Sequence, residues 1–428
     1  MVDYVDLGYK PGSNDLVAEY SLRSAKGVTL ERASEHIAKE SSIGTWTTIS
    51  TMNEKVAAKL KPHVYEINKK KKIIKIAYPS ELFEGGNMPQ IYSAIAGNIF
   101  GMTAVDSLRL EDINFPDNIM KSFKGPAFGI PGVRKLLKVK DRPLVGTIVK
   151  PKVGLNELQH AKVAYEAWAG GLDIVKDDEN LTSMKFNKFE DRIVKTLEWR
   201  DKAQSETGEK KMYMPNVTAE TKTMLDRAQF VRDHGGEYVM IDILTCGWSG
   251  LQTLRDANLG LVIHAHRAMH GAITRIPYHG ISMLTLAKTA RIIGVDQIHI
   301  GTAVGKMEGS AKEVKMLEVE VEERLIKEKD RLHVLEEDFG KMKPVFAVAS
   351  GGLHPGLIPK LVDIFGKNII MQFGGGCHGH PDGTRAGSVA IRQALDAKMK
   401  GEDLQKYAKG KKEISEALKK WGLHTPKN

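Results

Sequence analysis

The sequence contains little cysteine, no long apolar run and no leader pattern. Its 428 residues include two cysteines, Cys246 and Cys377, which are too few for a disulfide framework and are typical of a reducing cytosol. No run of about 18 or more uninterrupted apolar residues occurs, so no membrane-spanning helix is expected. The first residues lack the basic and apolar regions of a secretory signal peptide. We therefore expect a soluble, cytoplasmic protein without a membrane partner.

The charge and the length of the chain further limit the class of protein and its partners. A chain of 428 residues that is 42% hydrophobic can bury a large core and favours two domains, since a barrel alone takes about 250 residues. The net charge of +10 raises the question of a nucleic-acid partner. The lysines, however, are spread over helical faces and short runs such as 69–72, which is typical of a solvated basic surface. We expect no nucleic-acid partner and a modest attraction of anionic substrates.

From residue 143 onward, short apolar runs rich in β-branched residues alternate with amphipathic stretches of helical period. This alternation is typical of βα units with a parallel sheet. Eight such units favour an α/β fold of the (β/α)8 barrel type over an open sheet. The predicted strands cover residues 143–150, 173–178, 212–217, 238–244, 260–266, 297–301, 345–350 and 369–374.

Polar residues gather at the ends of these predicted strands. They are Lys150, Asp178, Asn216, Asp242, His266, His299, Ser350 and the glycine run 374–376. In (β/α)8 barrels, the C-terminal ends of the strands carry the active site. The pattern therefore predicts the active site at this mouth of the barrel.

The remaining segments complete the predicted domain organisation. Residues 1–122 mix strand-like and helical patterns and are predicted to form a smaller α+β domain. Glycine and proline mark a linker over 123–142. The barrel and a helical C-terminal tail take up 143–428, in which the charged stretch 311–338 is predicted to be a solvated helix and loop.

The second predicted strand ends in an unusual cluster of one lysine and three acidic residues, Lys176 to Glu179. Alternate residues of a strand share a face, so Lys176 and Asp178 point the same way, while Glu179 lies where the strand gives way to a loop. An ion pair would explain such a cluster on a surface. At a strand end, the carboxylates also suit a hard cation such as Mg²⁺, which prefers oxygen ligands. The lysine offers an oxygen only if its amine reacts with CO₂ to form a carbamate.

Other predicted strand ends carry cations and histidines. The first ends in Lys150 and Lys152 around a proline, and an ammonium at a barrel mouth can bind a phosphate or donate a proton. The fifth places His264 and His266 on one face, with Arg267 beyond them. We discount a histidine metal site there, because no third nitrogen or sulfur ligand has compatible spacing.

Glycine-rich loops mark the same mouth of the barrel. In segment 301–309, three glycines surround Lys306, which suggests a hinged loop that closes over a ligand and does not match a P-loop. The seventh and eighth strands end in the runs 350–352 and 374–376. Glycines there let phosphate oxygens approach backbone N–H groups, although a pair of tight turns would also explain them.

Several segments together resemble the large subunit of ribulose-bisphosphate carboxylase/oxygenase (Rubisco). They are 40–47, 97–101, 146–152, 170–180, 262–270 and 301–309. The compact N-terminus and short tail are most similar to the archaeal form III, which implies that no small subunit is needed. One departure is Ile148, where the family usually has threonine, so a hydroxyl contact to the substrate is missing.

The resemblance implies the catalytic residues and the cofactors. The implied catalytic residues are Lys150, Lys176, His266 and Lys306. In the family, the residue matching Lys176 becomes a carbamate with CO₂ and binds Mg²⁺ together with those matching Asp178 and Glu179. Lys150 would return the final proton, and Lys306 would stabilise the carboxylate that is formed from CO₂.

The resemblance also implies how the substrate and a second subunit are bound. Arg267 and His299 would bind one phosphate of ribulose 1,5-bisphosphate, and the glycine loops would bind the other. The implied substrate-binding residues are Glu40, Thr45, Trp46, Asn98, Lys152, Arg267, His299, Ser350, Gly351, Gly352, Gln372, Gly374 and Gly375. In the family, the first four reach the active site of the neighbouring subunit. We therefore expect a homodimer with shared sites, and the size of any assembly of dimers stays open.

The implied reaction is the carboxylation of ribulose 1,5-bisphosphate to 3-phosphoglycerate, with competing oxygenation by O₂, through Mg²⁺-assisted enolisation. The archaeal likeness implies a role in nucleotide and ribose salvage. One alternative is a Rubisco-like enolase or isomerase that acts on another phosphorylated sugar, but such relatives typically lose residues like Lys306, Arg267 and His299. Another is a non-catalytic phosphosugar-binding protein, which would not explain the complete set of residues around Lys176.

Overall fold

A computed structural model of the chain describes residues 3–45, 47, 49–304 and 310–424. The chain divides into two compact units. The N-terminal unit comprises Met1–Lys124, Met269–Ile293 and Glu323–Met342, and the barrel unit comprises Gly125–Ala268, Gly294–Glu322 and Lys343–Asn428. No helix in the described ranges is both long and apolar enough to cross a bilayer.

The N-terminal unit is built on a five-stranded sheet. Its strands, in order across the sheet, are Gly280–Ile281, Val105–Asn114, Asp15–Ser24, Ile73–Pro79 and His63–Asn68. All neighbouring pairs are antiparallel except the first, which is parallel. The short strand Leu325–Ile326 pairs separately with Glu337–Asp338.

Three helices of this unit begin where a side chain satisfies a free backbone N–H group. Its α-helices are Leu30–Glu40, Glu54–Leu60, Met88–Ile95, Asp117–Met120, His270–Thr274 and Met283–Ile293, and its 3₁₀ helices are Ser80–Leu82, Asn98–Gly101 and Asp330–Leu332. Thr29, Asn53 and Asn87 each accept a hydrogen bond from a backbone N–H in the first turn of the helix that follows. A buried ion pair, with Lys288 Nζ 2.8 Å from an Asp112 carboxylate oxygen, joins helix Met283–Ile293 to the sheet.

The barrel unit contains eight parallel strands. In chain order they are Leu144–Ile148, Ile174–Lys176, Met212–Met214, Tyr238–Asp242, Val262–His266, Gln297–His299, Phe346–Ser350 and Ile369–Phe373. The third and fourth strands meet through an isolated bridge between Asn216 and Met240, which closes the ring. The predicted (β/α)8 barrel, preceded by a smaller α+β unit, is confirmed. Each strand lies within its predicted range, with ends up to three residues shorter.

The N-terminal end of the barrel is filled by a helix, Gly129–Leu137. Its residues Ile130, Val133 and Leu137 pack with the first apolar residue of most strands, for example Leu144 and Phe346. The polar mouth is thus at the opposite end of the barrel from a closed apolar floor. The segment predicted as a linker, residues 123–142, therefore contains this helix. Nothing in the structure tests the predicted domain boundaries, which remain predictions.

The remaining helices of the barrel unit surround the strands. They are Glu157–Ala169, Phe189–Thr207, Thr221–Asp233, Ile243–Asp256, Ala311–Glu322, Ile358–Phe365, Gly375–His378, Gly383–Met399, Leu404–Ala408 and Lys412–Trp421, with the 3₁₀ helix Pro355–Leu357. The prediction of a solvated helix and loop over 311–338 is wrong in one respect. Helix Ala311–Glu322 buries Val314, Leu317 and Val321, because one apolar face packs inward.

Candidate active site

The amine of Lys176 lies deep in the barrel mouth, although lysine is rarely buried. Its strand follows the turn at Gly170 and Gly171 and places the side chain inside the barrel, where the residue is 1% exposed. Its Nζ atom donates to the carbonyl oxygen of Asp177 at 2.8 Å and lies 3.3 Å from the sulfur of Met240. Burial lowers the pKa of Lys176, against the opposing charge of nearby carboxylates. Burial therefore brings the neutral, nucleophilic form of this amine closer than in an exposed lysine.

The carboxylates next to Lys176 are linked to the end of the first strand. Lys150 Nζ donates to Asp178 Oδ2 at 2.7 Å, and Lys152 Nζ lies 3.6 Å from Glu179 Oε1. Burial by itself raises the pKa of Asp178, but the hydrogen bond and charge of Lys150 outweigh it and lower that pKa. The two predicted groups of residues, from separate strands, are thus brought together at one mouth.

Three histidines line the neighbouring strands. His266 Nδ1 lies 3.0 Å from Asp242 Oδ1, and His266 Nε2 lies 3.7 Å from Glu179 Oε2. His264 Nε2 lies 3.0 Å from His299 Nε2, so one of these two nitrogens must donate and the other must accept. Burial lowers the pKa of His264 to about 3, which keeps this pair neutral. Across the described ranges, no group of three or more histidine, cysteine and acidic side chains is arranged for a metal ion.

Arg267 is a buried cation without a carboxylate partner among the described residues. It is 8% exposed, and burial alone lowers the pKa of its guanidinium to about 10. His299, buried beside it at 5% exposure, contributes a neutral ring. A desolvated guanidinium with no protein counter-charge favours an anionic ligand, because a phosphate can accept both of its parallel N–H groups.

The glycine loops lie beyond the seventh and eighth strands, as predicted. Gln372, in the eighth strand, is fully buried, and neither polar atom of its side chain has a partner in the described part of the chain. Ser350 pairs in register with Gln372, and a Cβ on Gly374 would lie 3.3 Å from Lys150 Cε. These loops therefore border the same mouth as the lysines of the first strand.

Ile148 lies at the position where the resemblance to Rubisco predicts a threonine. Its side chain is buried, and its carbonyl oxygen lies 2.9 Å from His378 Nε2. Thr147 Oγ1 lies 2.8 Å from the same nitrogen, and burial lowers the pKa of His378 to about 4. A neutral His378 thus fixes the end of the first strand just before Lys150. Sequence reasoning missed this histidine, because it follows the eighth strand by several residues.

Asp177 is a second residue that sequence reasoning left without a role. It points away from the barrel mouth and accepts hydrogen bonds from Tyr213 Oη at 2.6 Å, Arg192 Nε at 3.1 Å and the backbone N–H of Asn216 at 3.0 Å. His160 Nε2 lies 3.1 Å away. The network fixes the backbone between Lys176 and Asp178. Strand alternation predicts the outward direction of Asp177, but it cannot reveal partners on distant helices.

Two of the predicted N-terminal residues lie together in the N-terminal unit. Asn98 Nδ2 donates to Glu40 Oε1 at 3.5 Å, and both line a surface cleft of about 830 Å³. Thr45 lies beyond the end of the helix that carries Glu40. The predicted Trp46 and the loop lysine Lys306 lie outside the described residues.

Comparison with known proteins gives the same family for both units. The model of the ribulose bisphosphate carboxylase large chain, catalytic domain, matches residues 129–421, and the model of its N-terminal domain matches residues 3–119. A Methanosarcina acetivorans protein named ribulose bisphosphate carboxylase is 54% identical over 98% of this chain and 99% of its own. A Methanocaldococcus jannaschii protein of the same name is 53% identical over 98% of this chain and 100% of its own.

Solved structures of archaeal proteins have the same fold. The octameric ribulose-1,5-bisphosphate carboxylase/oxygenase from Pyrococcus horikoshii superposes with a TM-score of 0.91 at 49% identity, covering 99% of this chain and 97% of that one. The dimeric archaeal Rubisco from Hyperthermus butylicus has a TM-score of 0.94 at 45% identity, with 99% of both chains covered. The resemblance stated from the motifs is confirmed.

Proposed function

Because this chain belongs to the ribulose bisphosphate carboxylase large-chain family and is an enzyme of that family, we propose that it carboxylates ribulose 1,5-bisphosphate to 3-phosphoglycerate, with competing oxygenation. The observation that carries the proposal is the buried amine of Lys176, which has a lowered pKa and lies beside Asp178 and Glu179. A neutral amine is the form that reacts with CO₂. A purely structural lysine in this position would be expected to form an ion pair.

Three residues at the end of the second strand fit the implied cofactors. Lys176 as a carbamate, together with Asp178 and Glu179, would hold Mg²⁺ through oxygen atoms only, as this ion prefers. When bound, the ion would polarise the C2 carbonyl and C3 hydroxyl of the substrate and make the C3 proton more acidic. Asp178 pairs with Lys150 at 2.7 Å, which places the ammonium of Lys150 beside the proposed ligands and within the same mouth as the substrate.

The chain's own residues would orient the two ends of the substrate. Arg267 and His299 would take one phosphate, since Arg267 has no competing carboxylate among the described residues. The loops that begin at Ser350 and Gly374 would take the other through backbone N–H groups. Lys150 would hold the proton that is returned to the product, Lys306 would stabilise the new carboxylate, and Lys152, His266 and Gln372 would contact the bound sugar.

We also propose a homodimer in which each active site uses both subunits. Glu40, Thr45, Trp46 and Asn98 would complete the site of the neighbouring barrel. The cleft that Glu40 and Asn98 share is open on the surface of the N-terminal unit, as a docking partner requires. Dimeric and octameric relatives are consistent with an assembly of dimers. The reaction would serve nucleotide and ribose salvage, and no small subunit would be needed.

The test is anoxic incubation with Mg²⁺ and radiolabelled bicarbonate, followed by ribulose 1,5-bisphosphate, and measurement of acid-stable label in 3-phosphoglycerate. Label that requires both Mg²⁺ and the sugar is expected. Lys176→Met should reduce turnover by at least about 10³-fold, because no oxygen ligand can form. Substantial residual carboxylation in this variant would contradict the role of Lys176. Exchange of the C3 proton without labelled product would instead assign the chain to the enolases of this family.

A further inference from the structure

The loops after the seventh and eighth barrel strands are rich in glycine. They cover residues 350–354 and 374–379, in which Ser350 ends the seventh strand and Gly375–His378 form a single helical turn. Glycine lets an anion approach the backbone closely, but its conformational freedom makes a glycine-rich loop costly to order. A phosphate site built on such loops therefore depends on neighbours that hold them in one conformation.

The two loops touch each other directly through their backbones. A Cβ on Gly376 would lie 2.0 Å from the carbonyl oxygen of Leu353 and 2.7 Å from Cα of His354. No side chain fits into that space, so the two loops are in close backbone contact. A residue that holds one loop in place therefore also limits the space open to the other.

The end of the C-terminal helix contacts the second loop. Lys420 Nζ donates to the carbonyl oxygen of Gly379 at 2.6 Å. The indole ring of Trp421 packs on the same residue, with Cζ2 3.5 Å from the position that a Cβ of Gly379 would take. Both contacts reach the loop at Gly379, which has no side chain of its own, while the preceding His378 is anchored to the first strand.

The same segment also contacts the first loop. His354 is buried, its Nε2 lies 3.0 Å from the carbonyl oxygen of His424, and its ring stacks on Trp421 with a centroid distance of 6.1 Å. Just after this loop, the carbonyl oxygen of Gly422 lies 2.1 Å from the position that a Cβ on Gly356 would take. The C-terminal segment 420–424 therefore touches both loops at once.

We propose that Trp421 and Lys420 are positioning residues for a substrate phosphate. Through Gly379 and His354, they hold the two glycine loops in the arrangement in which backbone N–H groups of both face one phosphate. Neither residue touches the substrate. The inference rests on the proposed function, because the phosphate ligand belongs to it. The C-terminal segment reaches both loops from outside the barrel mouth.

The test compares Trp421→Ala with the wild-type protein in full-length form. We expect KM for ribulose 1,5-bisphosphate to rise about tenfold and kcat to change by less than about twofold, because a phosphate far from the reacting carbon is bound equally in the ground and transition states. Lys420→Met should raise KM about threefold. Trp421→Phe, which keeps an aromatic ring on Gly379 and His354, should restore most of the affinity. The Mg²⁺ and CO₂ concentrations that give half-activation should not change.

Leu404→Ala is the matched control, since Leu404 is a buried apolar residue in the preceding short helix. It should lower the melting temperature comparably to Trp421→Ala and leave KM unchanged. An unchanged KM in Trp421→Ala, or an equal rise in Leu404→Ala, would overturn the positioning role. If the wild-type protein shows no carboxylation, hydrogen exchange still decides the inference. Faster exchange of the amides of both loops in Trp421→Ala would support it, and equal exchange would overturn it.

Discussion

At the scale of single residues, buried cations in this chain fall into two kinds. Lys211 and Lys288 are fully buried, and each has a carboxylate oxygen within 3 Å: Lys211 at 2.7 Å from Glu209 and Lys288 at 2.8 Å from Asp112. Lys176 and Arg267 are nearly as buried, but in the described part of the chain neither forms an ion pair. Burying an unpaired charge is costly, so such residues are typical of functional sites. The contrast singles out the two cations that the proposed reaction uses.

A prediction at this scale concerns Asp177. Asp177→Ala should lower the free energy of unfolding by about 3–5 kcal/mol, because it leaves the guanidinium of Arg192 buried without its counter-charge. The side chains of both residues are 0% exposed. Urea unfolding measures the loss. Asp201→Ala is the control, since the side chain of Asp201 is 60% exposed and its partner Arg200 keeps a second carboxylate, Glu237, at 3.0 Å. Similar losses in the two variants would show that the network around Asp177 contributes little.

At the scale of elements, the barrel strands were predictable and the floor helix was not. A short apolar run in the sequence predicts each strand, because strands buried on both faces need apolar residues throughout. Helix Gly129–Leu137 has glycine and proline in its first turn, which favoured a linker. The acceptor that fixes its start is Asp296, whose Oδ1 accepts from the N–H groups of Phe128 and Gly129 at 2.6 and 2.7 Å. That partner lies about 170 residues away, so no local pattern could reveal it.

A prediction follows for this floor. Asp296 also accepts from the backbone N–H of Ile263 at 3.0 Å, so three buried N–H groups depend on one carboxylate. Asp296→Ala should destabilise the protein by about 3 kcal/mol, because a buried donor left without an acceptor costs about 1–3 kcal/mol. Asp296→Asn keeps one acceptor oxygen and should cost less. The shift of the urea midpoint at a constant m-value measures both. An alanine variant no less stable than the asparagine variant would contradict this account of the floor.

At the scale of the whole molecule, the proposed site residues are divided between the two units of the chain. The barrel unit carries Lys176 and the proposed phosphate-binding residues, and the N-terminal unit carries Glu40 and Asn98 on a surface cleft. Closed two-fold dimers are the commonest assemblies and pair each surface with its copy. The fold of both units matches the archaeal relatives over nearly their full length.

Complementation tests this arrangement. Co-expressed Glu40→Gln and Lys176→Met chains should recover about a quarter of wild-type activity, because half of randomly formed dimers are mixed and each mixed dimer has one intact site. Each variant alone should be nearly inactive. Purification through two different tags isolates the mixed dimer, which should have about half of the wild-type activity. Lys176→Met mixed with Asp178→Asn is the control and should stay inactive, since both changes affect every barrel. An inactive mixed dimer in the first pair would contradict shared sites.

The amino-acid sequence by itself determined the barrel, the mouth that carries the polar residues and the family. These three features depend on local spacing, because strand alternation and strand-end motifs each involve only a few neighbouring residues. The tertiary structure alone decided the floor helix, the buried network of Asp177, the neutral state of His378 and the contact of the C-terminal segment with both glycine loops. Each of these joins residues far apart in the chain, and its effect arises from burial, which changes pKa values and the cost of an unpaired donor only once the chain has folded.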